Sequence, residues 1–267
     1  MAKKYGVRKR IIHSHNSQNM DSWLRGLLHK WNKRQIGKIA TDFWACSQEA
    51  AHWFYGDGIM PRVEVIHNAI EVERIAYDPE KRRQIRAALG LRDEYIVGNV
   101  GRLHFQKNQM FALDVFNAFI KKCPDSKLVF VGQGPDEKVL RQKCERLGLT
   151  GSVIFAGVQS NVDAWLSAFD VFLFPSLFEG LGIALLEAQA NGMPALASEG
   201  VIPQEIKMNE NLFFCSLDSD AIKWAERLSA IRHGQQRIPM GTVYQNFISG
   251  GYEIGVETQK LEKLLAV

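Results

Sequence analysis

In the second half of the chain, short continuous runs of apolar residues alternate with segments in which apolar positions follow a helical period. From about residue 95 the apolar runs predict buried strands: "YIVGNVG", "SKLVFVG", "SVIFAG", "VFLFPS" and "MPALAS". The segments between them predict helices: "NQMFALDVFNAFIKKC", "PDEKVLRQKCERLG", "NVDAWLSAF" and "GIALLEAQANG". Strands without in-and-out alternation are typical of a parallel sheet that helices cover on both faces. We therefore predict a doubly wound, Rossmann-like α/β domain that binds its ligand at the carboxyl ends of the strands.

The first 70 residues are patterned less regularly. "RKRIIHSHN" and "DFWACS" predict short strands, "QEAAHWFYG" predicts a helix that ends at Gly56, and "RVEVIHNAI" predicts another extended segment. Apolar positions between residues 23 and 39 predict an amphipathic helix with a basic face. Seventy residues are fewer than the ~100–150 of an ordinary domain, so we predict a partial α/β domain here.

Composition narrows the class of protein. With 46% hydrophobic and 23% charged residues, the chain is typical of globular proteins. It contains no run of 18 uncharged apolar residues, so no membrane-spanning helix is expected, and its start lacks the apolar core of a secretory signal. The cysteines are far apart and form no C-x-x-C pair: Cys46, Cys123, Cys144 and Cys215. We therefore expect buried, reduced thiols in a cytoplasmic protein, and neither disulfides nor a zinc site.

Positive charge is concentrated at the start of the chain. Residues 1–60 contain ten Lys and Arg against four Asp and Glu, whereas the remainder is close to neutral. The basic stretch is either a solvated helix face or a surface attracted to an anionic membrane. The tryptophans of this stretch fall on predicted strands or on apolar helix faces, which favours core packing over base stacking, so no nucleic-acid partner is expected.

Two carboxylates lie in the most apolar segment of the chain. Glu179 follows the strand "VFLFPS" and precedes a helix, where the free N–H groups of residues 180–184 predict an anion site. Glu187 lies farther along that helix among apolar neighbours. One interpretation is structural: Glu179 stabilises the start of the helix and Glu187 faces solvent. If Glu187 is buried, it needs a good partner, and the paired hydroxyls of a sugar ring are suitable partners.

The spacing of these glutamates resembles a known signature. "PSLFEGLGIALLEAQANGMPALAS" is similar to the E-x7-E segment of retaining glycosyltransferases of family 4, which have the GT-B fold. "NVGRLHFQKN", "VIFAGV" and "VIHNAIE" resemble further segments of that family, in the same order. "RIIHSHN" and "ATDFWACSQEAAHWFYG" resemble parts of the N-terminal domain in enzymes that build capsular or exopolysaccharide. The resemblance covers nearly the whole chain and is strongest over residues 96–215.

The resemblance assigns roles to individual residues. It implies that Glu187 holds both ribose hydroxyls of a nucleotide-sugar and that Glu179 contacts the donor sugar as a catalytic residue. His15 is the preferred catalytic histidine, with His13 as the second candidate; the alternative is a structural histidine. The other donor-binding residues implied are Arg102 and Lys107 at the diphosphate, the backbone around Gly101, Gly180, Leu181, Gly182 and Ile183, and Val158 at the base.

The implied reaction is transfer of a sugar from a nucleotide donor, a UDP-sugar, to a glycan or lipid-linked acceptor with retention at the anomeric carbon. No cofactor and no metal are expected, because cations and helix amides hold the diphosphate. The one D-x-D sequence, Asp218-Ser219-Asp220, opens a predicted helix, and we interpret it as a helix cap. The expected setting is bacterial cell-surface polysaccharide biosynthesis, in the cytoplasm or at the inner face of the membrane.

The same resemblance suggests a division of the chain. We expect a partial acceptor-side domain over residues 1–70, a nucleotide-sugar-binding domain over 71–235, and a helical tail over 236–267 that packs back toward the N-terminal domain. About a hundred residues of an ordinary N-terminal domain are expected to be absent, as in a truncated product or a split enzyme with an N-terminal partner. Two alternatives stay open: an inactive nucleotide-sugar-binding subunit, and another GT-B activity such as sugar-nucleotide epimerisation.

Overall fold

The computed structural model describes residues 2–15, 33 and 35–266. These residues divide into two compact units, which we call the first unit (residues 1–69 with 255–267) and the second unit (residues 70–254). The amphipathic helix predicted over residues 23–39 lies mostly outside the described residues, although residues 35–39 are helical.

The second unit is a six-stranded parallel sheet with helices on both faces. Its strands are β4 (Tyr95–Val100), β5 (Ser126–Val131), β6 (Val153–Gly157), β7 (Val171–Phe174), β8 (Ala195–Ser198) and β9 (Leu212–Cys215). Its helices are α2 (Val72–Ile75), α3 (Pro79–Ala88), α4 (Gln109–Ile120), α5 (Glu137–Arg146), α6 (Val162–Ala168), α7 (Ile183–Ala190), α8 (Ala221–Gly234) and α9 (Met240–Gly250). The predicted doubly wound α/β architecture is therefore confirmed.

Alternate residues of the central strands point into two separate apolar cores. Ile96 and Phe172 contribute to one core, and their neighbours Val97 and Val171 contribute to the other. All four are fully buried. Because both faces of the strands are covered, the strand sequences are apolar throughout, which is the pattern seen in the sequence.

The order of the strands, β6-β5-β4-β7-β8-β9, reverses direction between β4 and β7. In doubly wound sheets the loops at the carboxyl ends of these two strands diverge and leave a crevice, where ligands bind. The loop after β4 begins at Gly101, and the loop after β7 contains Glu179. The fold therefore brings two predicted site segments that are distant in sequence to one edge of the sheet.

The first unit contains a smaller parallel sheet. Strands β1 (Ile11–Ser14), β2 (Asp42–Ala45) and β3 (Val63–Val65) pair in that order, and helix α1 (Gln48–Phe54) follows β2. The buried Tyr55 donates its hydroxyl to the carbonyls of Ile12 at 2.7 Å and of Trp44 at 2.8 Å, which joins β1 to β2. Helix α10 (Ile254–Leu265) returns to this sheet, where Glu257 accepts a hydrogen bond from the backbone N–H of His67 at 3.1 Å.

Several smaller predictions have clear outcomes. All four cysteines are free and buried, as expected. Asp220 caps α8 by accepting a hydrogen bond from the N–H of Lys223 at 2.9 Å, which confirms the capping interpretation. Residues 236–254, placed in a tail by the sequence, belong to the second unit. Within the described residues, no helix combines the length and apolarity that a bilayer crossing requires.

Candidate functional site

An ion pair lies at the crevice between β4 and β7. Lys107 Nζ is 2.7 Å from Glu179 Oε1, and the side chain of Glu179 is only 6% exposed. Lys107 also lies over the ring of Phe174, the last residue of β7, with Nζ 5.1 Å from the ring centroid. Because water is largely excluded from this pair, removing one partner leaves a costly buried charge.

The two loops that supply this pair are bound to each other through their backbones. The N–H of Leu177 donates to the carbonyl of Gln106 at 2.8 Å, and the Gln106 side-chain amide donates to the carbonyl of Phe178 at 3.0 Å. Gln106 belongs to a single turn of 3-10 helix, Phe105–Lys107, which ends at Asn108 in the left-handed region with φ 54°. These contacts fix the direction in which Lys107 enters the crevice.

The start of helix α7 presents free backbone donors next to Glu179. Gly182 precedes the helix with φ 77°, a conformation that favours glycine. At Gly180, in contrast, φ is not positive. Among the described residues, the N–H groups of residues 180–184 donate to no partner. Uncommitted amides at a helix start, which carries partial positive charge, favour a bound anion.

Glu187 is half-buried on α7, and its carboxylate has no hydrogen-bond partner among the described residues. Burial raises the pKa of Glu187, and the positive charge of Arg74 offsets part of that rise. Glu187 is therefore partly shielded from solvent, whereas the structural alternative expected it to face solvent. A carboxylate that accepts hydrogen bonds and has none within the chain is suited to a ligand that brings its own hydroxyl donors.

Gly101 and Arg102 form the first part of the loop after β4. Gly101 has φ 154°, a backbone conformation that favours glycine, and a Cβ there would lie in van der Waals contact with Lys107 Cε at 3.4 Å. Arg102 is exposed and makes no ion pair among the described residues. Its guanidinium is therefore free for an anionic ligand, as expected from the sequence.

Sequence reasoning missed the residues that support this loop. Gln109 is 2% exposed and donates its side-chain amide to the Arg102 carbonyl at 3.0 Å. The loop after β5 also supports it: Leu103 N–H donates to the carbonyl of Gln133 at 3.1 Å. A Cβ at Gly132 would lie 2.1 Å from the carbonyl oxygen of Gly101, so no side chain fits there. The G-x-G sequence that begins at Gly132, after a predicted strand, is the sequence feature that could have indicated this contact.

Val158 lies on a different strand end from the ion pair, and His15 belongs to the first unit. Val158 follows β6 and is 65% exposed; because β6 is two strands from β4, their ends are about 10 Å apart. His15 follows β1 in the first unit and is exposed, and its ring centroid lies 4.1 Å from that of His13. Burial, together with His15, lowers the pKa of His13. His15 is thus the accessible member of the histidine pair, and its catalytic role stays a prediction.

The described residues contain no cluster of three or more His, Cys, Asp or Glu side chains arranged to hold a metal ion. The groups that converge at the crevice are instead two cations, a helix start and two carboxylates. Such a set can bind a polyanion through Arg102, Lys107 and the amides, and a hydroxyl-bearing group through Glu187.

Comparison with known proteins gives a family match. The model of the family described as "Glycosyl transferases group 1" matches residues 81–246, which cover most of the second unit. The matched range contains the loop after β4, the loop after β7 and helix α7.

Two curated relatives illustrate the likeness in sequence. EpsF of Bacillus subtilis (strain 168) is 31% identical over 238 residues, which are 85% of this chain and 61% of EpsF. The UDP-Gal:alpha-D-GlcNAc-diphosphoundecaprenol alpha-1,3-galactosyltransferase of Escherichia coli is 33% identical over 180 residues, which are 66% of this chain and 45% of that protein. The chain thus spans between about half and three fifths of the length of these relatives.

Solved structures show the same fold. The crystal structure of Anabaena Alr3699/HepE in complex with UDP matches with a TM-score of 0.82 and 21% identity, covering 100% of this chain and 74% of that one. The same protein in complex with UDP-glucose matches with a TM-score of 0.80. At this identity the likeness establishes the fold, a GT-B-like arrangement of parallel sheets and flanking helices.

Proposed function

The chain belongs to the family of group 1 glycosyl transferases, and from that premise we propose that it transfers a sugar from a UDP-sugar to a hydroxyl acceptor with retention of anomeric configuration. The observation that carries this proposal is the set of charged and hydrogen-bonding groups supplied by the loops after β4 and β7 and by helix α7. The Lys107–Glu179 pair, the free amides of residues 180–184 and the partnerless carboxylate of Glu187 all lie in the second unit.

Each group has a role that follows from its chemistry. Glu187 accepts hydrogen bonds from the two ribose hydroxyls, which a carboxylate can do with both oxygens. Arg102, Lys107 and the amides at the start of α7 hold the diphosphate. As the bond between sugar and phosphate breaks, negative charge grows on the diphosphate, and fixed cations and N–H groups stabilise that charge more than they stabilise the bound donor.

Glu179 has a double role in this proposal. In the structure its carboxylate forms an ion pair with Lys107 at 2.7 Å. With the donor bound, the diphosphate takes over Lys107, and Glu179 is available to contact the hydroxyls of the donor sugar near the reacting carbon. His15 is the second proposed catalytic residue, and Val158 borders the base; both assignments depend on the family resemblance alone.

The proposed substrates are a UDP-hexose and a lipid-linked or glycan acceptor. Support comes from relatives: the E. coli protein is named for a UDP-galactose donor and a diphosphoundecaprenol-linked acceptor, and HepE was crystallised with UDP-glucose. We place the reaction in bacterial surface polysaccharide synthesis at the inner face of the membrane. The excess of six positive charges in residues 1–60 favours that location, and co-sedimentation with anionic but not neutral liposomes tests it.

The test is a transfer assay on the full chain. UDP release from UDP-glucose and UDP-galactose is measured with and without a lipid-linked GlcNAc diphosphate acceptor, and NMR of the product reads the anomeric configuration. We expect acceptor-dependent release with a retained anomer, and a rate at least about tenfold lower for Glu179→Gln, since electrostatic groups at reacting centres typically contribute that much or more.

Glu145→Gln is the matched control, because Glu145 is an exposed carboxylate on helix α5 of the same unit. A Glu179→Gln rate equal to wild type would contradict the role of Glu179, and an inverted product would contradict retention.

A second candidate function is binding of the nucleotide-sugar without transfer, as in a subunit of a larger enzyme. This candidate is supported by the position of the proposed donor-binding residues, all of which lie within the second unit. Binding of the donor by these residues therefore does not require residues of the first unit. UDP binding without acceptor-dependent release, until an N-terminal partner is supplied, would select this candidate.

A further inference from the structure

A second polar cavity lies at the edge of the sheet opposite the proposed donor site. Its volume is about 330 Å³. Asp170 and Tyr95 mark its position, because Asp170 immediately precedes β7 and Tyr95 begins β4, whereas the donor site follows the carboxyl ends of these strands. The side chains used below are Tyr77, Arg82, Tyr95, Asp170, Gln236 and Arg237, and we call their surroundings the basic cavity.

The basic cavity holds more positive than negative charge. Asp170 is its one carboxylate, and it is fully engaged: it accepts hydrogen bonds from Arg82 and Arg86, both at 2.6 Å, and from the N–H of Ile96 at 2.7 Å. The guanidinium of Arg237 has no carboxylate partner among the described residues. It donates instead to neutral oxygens, including the carbonyls of Phe169 at 2.6 Å and Leu166 at 3.0 Å.

Two of these cations are held close together. Arg82 and Arg237 both donate to the carbonyl of Phe169, at 3.2 and 2.6 Å, and both donate to the carbonyl of Ser167 at 3.3 Å. The carbonyls at the end of α6 carry only partial negative charge, so they offset part of the repulsion. Burial first, and the charge of Arg82 next, lower the pKa of Arg237 to about 10. An anion in the cavity would relieve this repulsion.

Polar groups without partners line the same cavity. The hydroxyls of Tyr77 and Tyr95 and the side-chain amide of Gln236 make no hydrogen bond to the residues that the structure describes. Both rings are held in place by guanidinium groups: Arg237 lies 4.4 Å from the Tyr77 centroid, and Arg232 lies 5.0 Å from the Tyr95 centroid. Burial raises the pKa of Tyr95, so its hydroxyl stays protonated and able to donate.

We propose that the basic cavity is a binding site for a phosphate dianion, either free phosphate or the phosphate group of a monoester. A tetrahedral dianion accepts several hydrogen bonds at once and offsets the positive charge that Asp170 leaves uncompensated, whereas a neutral ligand would leave the repulsion between Arg82 and Arg237 in place. This site is additional to the donor site and does not depend on the proposed sugar transfer.

The experiment is calorimetric titration of the full chain with inorganic phosphate and with phenyl phosphate at constant ionic strength. Arg82→Gln removes a cavity cation, and Arg83→Gln is its matched control, since Arg83 is the next residue on α3 and pairs with Glu80 at the surface. Lys107→Ala removes a cation from the donor site and tests whether the measured phosphate binds there instead of in the basic cavity. Tyr77→Phe removes only a hydroxyl and keeps the variant series informative if Arg82→Gln fails to fold.

We expect Arg82→Gln to weaken phosphate binding at least tenfold and Tyr77→Phe to weaken it severalfold, with Arg83→Gln and Lys107→Ala close to wild type. Equal binding of both probes would identify free phosphate as sufficient, and binding of phenyl phosphate alone would identify a monoester. Three results would overturn the proposal: no binding of either probe to the wild type, loss of binding in Lys107→Ala but not in the cavity variants, or equal weakening in Arg82→Gln and Arg83→Gln.

Discussion

Glu187 is the residue in which fold stability and proposed function oppose each other most directly. Its carboxylate is half-buried on α7 without a hydrogen-bond partner among the described residues, and burial raises its pKa above the usual 4.5. A half-buried carboxylate without a hydrogen-bond partner destabilises the folded protein whenever the carboxylate is ionised. Such a residue is typical of a binding site, where a ligand supplies the missing hydrogen-bond donors.

This opposition predicts how stability depends on pH. Because the folded pKa of Glu187 is raised, the folded state binds the proton more tightly than the unfolded state, so this group favours folding below pH 4.5 and loses that contribution as pH rises through the folded pKa. The neutral Glu187→Gln variant should therefore be more stable than wild type at pH 8. Its advantage should shrink as the pH is lowered through the raised pKa toward 4.5.

Urea unfolding of both proteins between pH 4.5 and 8 measures this difference in the free energy of unfolding. Glu145→Gln, at an exposed helical position, controls for the loss of one negative charge. An advantage that is the same at every pH, or a Glu187→Gln variant that is less stable at pH 8, would show that Glu187 carries no burial penalty.

At the scale of the elements, helix α3 shows what the sequence does not reveal. Pro79–Ala88 reads "PEKRRQIRAA", has no apolar stripe, and was not predicted as a helix. It is held by Arg82 and Arg86, which bind Asp170 and the carbonyls at the end of α6. Hydrophobic periodicity cannot detect a helix attached through ion pairs whose partners lie more than 80 residues away. Strand β9 was also not predicted from the sequence.

In the loops of the candidate site, sequence motifs predicted site residues but did not predict the contacts that hold these loops in place. Glu179 was singled out because it lies between a strand end and a helix start, whereas Lys107 and Gly182 were proposed from the family resemblance. The contact of the β5–α5 loop with the β4 loop was not found, because it depends on backbone atoms: a Cβ at Gly134 would lie 2.1 Å from the carbonyl oxygen of Leu103.

This contact predicts the effect of one methyl group. Gly134→Ala should destabilise the protein by about 1–3 kcal/mol, because a fixed backbone atom must move to admit the side chain. It should also weaken UDP binding, since Arg102 belongs to the displaced loop. Gly151→Ala is the matched control, with no atom within 4 Å of the added Cβ and no positive φ. Thermal unfolding with and without UDP measures both effects; a Gly134→Ala protein that matches Gly151→Ala in both would refute the support role of this contact.

At the scale of the whole molecule, the second unit was the more predictable part. Its alternation of apolar strands and helices follows directly from a sheet covered on both faces, and the two cores divide the strand residues between those faces. The hydrophobic pattern of the sequence did not show where the strand order reverses, because strand order depends on contacts between distant segments. Strand β4 pairs with β7 as well as with β5. That pairing is what places Lys107 against Glu179.

The most direct test of the proposed donor site is calorimetric titration with UDP of the full chain, the Glu187→Ala variant and the Glu145→Ala control. We predict that UDP binds the wild type and Glu145→Ala equally. Glu187→Ala should bind UDP at least about tenfold more weakly, since losing even one charge-assisted hydrogen bond costs ~1.5–3 kcal/mol. Equal affinity in all three proteins, or no heat of binding in the wild type, would contradict it.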